Sequence, residues 1–260
     1  MGRHARSLGG SIVPAICLAL LVCASVAAAK TSSRVVIRED VSVAHRNELM
    51  NQLRKVTGWT RLAFDHDGSL AIESPDTLQG SKTAQSLLAR AISGDKLIVL
   101  EDASSRSDVA FCRVVPGRWS TSNASLPRAY VVLIDFADFE RIVGDKEARA
   151  AFHVGWGVLH EIDHVVNGTE DSESDGDLGE CESHINAMRE EVGLPIRANY
   201  FYSASPLKTD PNFNRRLVRL PFEQRDTSSS RTRRYWLTWD AVVVGGVTDS
   251  QSVSVRALVR

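Results

Sequence analysis

His160, Glu161 and His164 stand in the order H-E-x-x-H. On a helix, side chains four apart leave the same face one turn apart. Two neutral imidazole nitrogens so placed reach one Zn²⁺ at roughly 2.0–2.1 Å. Glu161 projects about 100° round the helix from His160, beside the metal rather than on it. There a carboxylate takes the proton of a metal-bound water. A zinc that does chemistry also needs a third protein ligand and an open fourth position. Glu182 is the first candidate, with seventeen residues between it and His164. Glu180 and His184 flank it and stay open as alternatives. Asn186, four after Glu182, shares its helical face, where an amide orients a zinc-bound imidazole.

The same stretch carries a second pattern. Counted from Asp171, the residues Glu173, Asp175, Gly176, Asp177, Leu178 and Glu182 fill positions 3, 5, 6, 7, 8 and 12 of a calcium loop. Glu at position 3 departs from that pattern. The Asn167-Gly168 helix stop leaves three residues before the loop, where an entering helix should run straight in. Glu182 cannot serve both ions without bridging them, and it is expected on zinc because the histidines require a third ligand. Asp171, Asp175 and Asp177 remain candidates for a secondary cation, Ca²⁺ among them.

With H-E-x-x-H, then Glu182 and a residue four further on, the chain resembles the gluzincin metallopeptidases, whose second block is E-x-x-x-D. Asn186 stands where that family has Asp, and the separation is slightly short. Gly80 to Ala84 and Asn186 to Tyr200 are loosely similar to short bacterial effector and toxin metallopeptidase domains. The resemblance implies a zincin-like fold and hydrolysis of peptide bonds in a protein or peptide substrate. It also implies a Tyr or His that hydrogen-bonds the oxyanion, for which Tyr200 is the candidate and Tyr202 its neighbour. His153, two turns before His160, lies on the same face and suits an ordinary half-buried histidine. Trp236 and Trp239 suit a strand burying one face better than a substrate wall.

The elements that must hold these residues read as α+β. Helices are expected over 41–55, 83–92, 138–164 and 180–192, the third ending at Asn167-Gly168. A hairpin is expected where Asp65-His-Asp-Gly68 joins Leu62–Phe64 to Ser69–Glu73. Leu97–Leu100 reads as a buried strand. Tyr130–Ile134 is the strongest strand and the candidate edge for an extended substrate. Strands over 215–222, 234–244 and 252–259 make a C-terminal β extension, 206–260, of a single domain spanning 30–260.

Arg3, His4 and Arg6 precede an apolar run from Ile12 that closes on Val26-Ala-Ala-Ala29 in the small-residue form of a cleavage site. Here that is Ala27-x-Ala29, so 1–29 reads as a secretory signal peptide. The mature chain is expected outside the cytoplasm, secreted or periplasmic, and membrane-anchored only if the leader stays. Cleavage leaves Cys112 and Cys181, one possible disulfide. A net charge of −1 over 260 residues gives no field that would draw nucleic acid or an anionic membrane. Two rivals stand beside the peptidase: a calcium-stabilised binding module without turnover, and an inactive protein of the same fold.

Overall fold

The computed structural model describes residues 33–77, 79–104, 106–117, 128–174, 176–200, 203–206, 216–226, 229, 231–241 and 243–244. The expected leader over 1–29, Asp175, Tyr202 and the strand over 252–259 lie outside them. In chain order the elements are β1 (Val35–Ile37), α1 (Val43–Thr57), β2 (Trp59–Phe64), β3 (Leu70–Thr77), α2 (Lys82–Ser93), β4 (Leu97–Asp102), β5 (Cys112–Pro116) and β6 (Ala129–Ile134). Then come α3 (Phe136–Glu140), β7 (Val143–Gly144), α4 (Lys146–Ala150), α5 (Val154–Asn167) and α6 (Gly179–Glu191). The last strands are β8 (Ile196–Arg197), β9 (Ser203–Pro206), β10 (Arg216–Arg225) and β11 (Thr232–Asp240). The architecture is mixed α+β with small sheets, as the block order of elements predicts.

The first sheet runs β1-β4-β6-β5. Its first three strands are parallel and β5 joins antiparallel at one end. Strand alternation divides its residues between two faces. Ile98, Leu100, Val132 and Ile134 enter the main core with Leu49, Leu53, Leu88, Trp156, Leu159, Ile162 and Ile185 from the helices. Val99, Val131 and Leu133 face a smaller cluster with Ala103 and Val109. Each large apolar side chain so buried contributes about 1.5–3 kcal/mol, which fixes α5 against the sheet. The second sheet, β7-β11-β10-β8 with β9 also on β10, is antiparallel throughout. It packs Val218, Leu220, Phe222, Leu237 and Trp239 onto Ala148 and Ala151. Trp239 therefore faces inward, as a strand burying one side requires.

Two expectations need correction. The single helix over 138–164 is three helices. Gly144 holds φ +144 in the pairing of β7 with β11, where an added Cβ would lie 2.1 Å from the Trp236 carbonyl oxygen. His153 is extended (φ −146, ψ 174) and caps α5, its Nδ1 accepting the Gly155 N–H. Tyr130–Ile134 is not an edge: β6 lies between β4 and β5, and β5 closes the sheet. Cys112-Arg-Val-Val-Pro116, short and interrupted by charge, carries little strand signal of its own. The hairpin of β2 and β3, the apolar stripe of α2 and the end of α5 at Asn167 follow the sequence expectations.

Candidate metal centre

Apolar Val158, Leu159, Ile162 and Val165 bind α5 into the core and leave His160 and His164 on its remaining face. The two rings meet nearly edge to face, with centroids 4.8 Å apart. Gly168, in the left-handed conformation (φ +71), ends the helix by donating its N–H to the His164 carbonyl. The chain then folds back until Asp171 bridges Gly179 at the start of α6. That return carries the Asp171 carboxylate onto the histidines. Its Oδ1 lies 3.0 Å from His160 Nε2 and 3.3 Å from His164 Nε2. Ligand atoms of His160, His164, Asp171 and Cys181 all fall within 4.8 Å of one another. The Tyr200 ring stacks beside His160 at 6.3 Å, and its phenol hydrogen-bonds Asp171. This buried group could hold a metal ion.

The opposite nitrogens of both imidazoles are already engaged. His164 Nδ1 lies 2.7 Å from the Thr169 carbonyl oxygen, and His160 Nδ1 lies 3.5 Å from Glu182 Oε2. Nδ1–H groups donated this way leave both Nε2 lone pairs for a cation, the arrangement in which an outer partner orients a ligating histidine. Asp163 holds the returning loop: it accepts hydrogen bonds from the Asn167 amide and the Thr169 hydroxyl, and pairs with His184 Nδ1.

Positive charge belongs in the space between these donors, as protons or as a cation. Burial disfavours protonated imidazole, yet Cys181, Asp171 and Glu182 outweigh it and raise the His160 pKa well above its usual range. The same balance, struck by Asp171 and Cys181, pushes His164 up to about 11. Asp171 is held far below the ordinary carboxylate range by the two histidines, against burial.

Glu182 sits elsewhere than the sequence expectation puts it. Its Oε1 pairs with Arg189 Nη1 and its Oε2 lies 3.0 Å from Arg197 Nη1. Burial pushes its carboxyl up, but the two guanidinium groups hold it well below its usual range. The atoms that converge on the histidine pair are those of Asp171 and Cys181, and Glu182 stands behind His160. Asn186 is likewise turned from the imidazoles: its amide donates to the Arg197 carbonyl and accepts from Arg189 and from the Arg197 N–H. Glu180 is exposed, and His184 belongs to Asp163. The calcium register loses both its ends, Asp171 to the histidines and Glu182 to the arginines. Within it, Asp177 accepts the Gly179 N–H.

Glu161 is buried, 8% exposed, and its Oε2 accepts the Val114 N–H of β5 at 2.8 Å. Burial raises its pKa, opposed by the positive charge of His160 and His164. Together with His160 and Cys112 it lines a cavity of about 70 Å³ that Phe111, Phe152 and Trp239 also line. Gly157 lets α5 approach this wall, since an added Cβ would lie 2.9 Å from Cys112 Sγ and from Phe139 Cζ. Cys112 and Cys181 are both free thiols, so the possible disulfide is not formed. Cys112 lines this cavity, and Cys181 Sγ donates to the His160 carbonyl at 3.3 Å.

No protein-family model, curated protein or solved structure matches this chain.

Sequence alone does not single out Asp171 and Cys181 as zinc ligands. The signal that points to Asp171 is its distance beyond the Gly168 stop, just enough chain to turn back onto the helix face. Cys181 adjoins the expected ligand Glu182 and faces the other way.

Proposed function

We propose that the chain is a metal-dependent hydrolase of peptide bonds, with His160, His164 and Asp171 as ligands and Zn²⁺ as the cation. One observation carries this: a single Asp171 oxygen lies 3.0 Å from one Nε2 and 3.3 Å from the other, with both Nδ1 atoms held from behind. Bonds of 2.0–2.1 Å to a tetrahedral zinc imply donor separations of about 3.3 Å, so the donors fit. Once bound, Zn²⁺ would supply a Lewis acid and bring the pKa of a coordinated water toward about 7.

The chain's own residues do the rest. Glu161, one step round the helix from His160, takes a proton from water and passes it to the departing amine. Its burial serves that task, since a carboxyl with a raised pKa holds a proton longer near neutral pH. Tyr200 steadies Asp171 and the His160 ring. That assignment replaces the oxyanion role, because the phenol is 1% exposed.

A peptide substrate follows from the H-E-x-x-H resemblance, and β5 is the strand that flanks the base. The hydrogen bonds Asp135 N to Phe111 O and Gly117 N to Ala129 O set the register with β6. Backbone groups of odd-numbered residues therefore face β6, and those of Cys112, Val114 and Pro116 face the edge beside α5. That edge is no free ladder for a substrate strand, because the Val114 N–H is bound to Glu161 and Pro116 has none. Secretion by the leader and the zincin-like fold belong to the same reading.

The test is Glu161→Gln. Expected are unchanged zinc per chain, by elemental analysis, and hydrolysis of an unfolded protein reduced about 10²–10⁴-fold. Equal hydrolysis by both proteins would remove Glu161 as the base.

A further inference from the structure

Cys181 is fully buried on the first turn of α6, directly behind the Asp171–Gly179 bridge. Its sulfur belongs to the same cluster of donor atoms, all within 4.8 Å of one another. The three-ligand scheme above has no use for it. A tetrahedral centre with Zn–N of 2.0–2.1 Å and Zn–S of 2.3 Å has edges of about 3.3–3.6 Å. Drawing the four donors together therefore takes a contraction of at most about 1.2–1.5 Å at the widest pair.

We propose that Cys181 is a fourth protein ligand, making a His₂-Asp-Cys site that is closed in this conformation. The inference rests on the reading of this cluster as a metal centre. Its chemistry is specific. On binding, the thiol proton leaves to solvent and a sulfur–metal bond forms. Thiolate with imidazole selects a borderline-soft ion such as Zn²⁺ over Ca²⁺ or Mg²⁺, which prefer oxygen donors alone. A zinc with four protein ligands has no position for water, the condition of structural rather than catalytic sites. The centre is thus latent, and water enters only when Cys181 gives up its place. Cys181 lies two residues past Gly179, whose φ of +75 sets the turn into α6.

Cobalt reports this directly. The purified chain is titrated with Co²⁺, and the near-ultraviolet sulfur-to-cobalt charge-transfer band is followed beside the amount bound. Expected is one cobalt per chain with that band present. The band should be lost in Cys181→Ser and retained in Cys112→Ser. Hydrolysis of an unfolded protein should rise in Cys181→Ser over the parent chain. Cobalt bound by the parent chain without the band overturns the fourth ligand and leaves the three-ligand hydrolase standing. A band with no hydrolysis by either protein upholds the closed centre and removes the peptidase. No cobalt bound by the parent chain removes both. The decisive reading comes from the unsubstituted chain, so it does not depend on any variant folding.

Discussion

Glu182 tests the site most sharply, because the two roles open to it predict opposite results. In the structure it is the counter-charge of Arg189 and Arg197, whose side chains are 2% and 6% exposed. At the 3.0 Å separation from Arg197 Nη1, and an effective dielectric near 20, one such pair is worth about 5 kcal/mol before desolvation is set against it. Removing the carboxylate keeps that desolvation and strands two guanidinium groups in the interior. Glu182→Ala should therefore lose about 3–5 kcal/mol, a large share of the roughly 5–15 kcal/mol that holds a domain together. Glu182→Gln keeps an acceptor for the arginines and for His160 Nδ1, and should lose less. Because Glu182 only orients His160, the Gln variant should still bind one zinc per chain, about 10–100-fold more weakly. Urea unfolding and competitive zinc titration read the two quantities separately. If Glu182 were the third ligand instead, Glu182→Gln would abolish stoichiometric zinc, and Asp171→Ala would leave it intact. An unfolding midpoint for Glu182→Ala equal to that of the parent chain would refute the charge argument.

Two further expectations follow from particular positions. Burial pushes the Asp135 carboxyl up to about 6 while its side chain caps α3 through the Asp138 N–H. An acid whose pKa is raised by folding binds its proton more tightly in the native state. Its contribution is present at low pH and is lost as pH rises through about 6, amounting with solvent screening to at most about 2 kcal/mol between pH 4 and pH 7. Asp135→Asn keeps the cap and should flatten that slope, measured as urea unfolding free energies across the range; an unchanged slope would disprove the assignment. Gly168 and Gly179 both hold positive φ, but an added Cβ meets nothing within 4 Å at Gly168 and lies 2.5 Å from the Ser172 nitrogen at Gly179. Gly168→Ala should cost about 1 kcal/mol with zinc affinity kept. Gly179→Ala should also displace Asp171 and weaken zinc binding, and equal affinities in the two variants would contradict the bridge.

Much of the frame was legible because it depends on local signals. The stripe of Ala84, Leu87, Leu88 and Ala91, the turn at Asp65–Gly68 and the stop at Asn167-Gly168 are each set within a few residues. The histidine pair needed only a helix. What stayed hidden depends on contacts made across the chain. Glu182 has the right residue type and separation for a ligand, and nothing near it in sequence announces two arginines. Arg189 lies two turns along the helix, and Arg197 comes from β8. Asp171 looked like the opening of a cation loop because its return to α5 depends on a single bridge to Gly179. The break at His153 was invisible to periodicity, since apolar residues on both sides continue a helical pattern. β5 is recognisable only once β6 is in place to pair with it.

The hydrogen bond from Val114 N–H to Glu161 also bears on how the folded chain keeps to itself. An open strand edge invites a neighbouring copy to pair with it and seed aggregation. Of the three residues that β5 turns to its edge, Pro116 has no N–H and that of Val114 is committed to a buried carboxylate. A second copy looking for a regular ladder would find alternate rungs missing, with α5 standing alongside. The carboxylate proposed as the base thus also keeps the strand from serving as a template, and Glu161→Gln, which leaves an acceptor in place, should preserve that solubility whatever it does to hydrolysis.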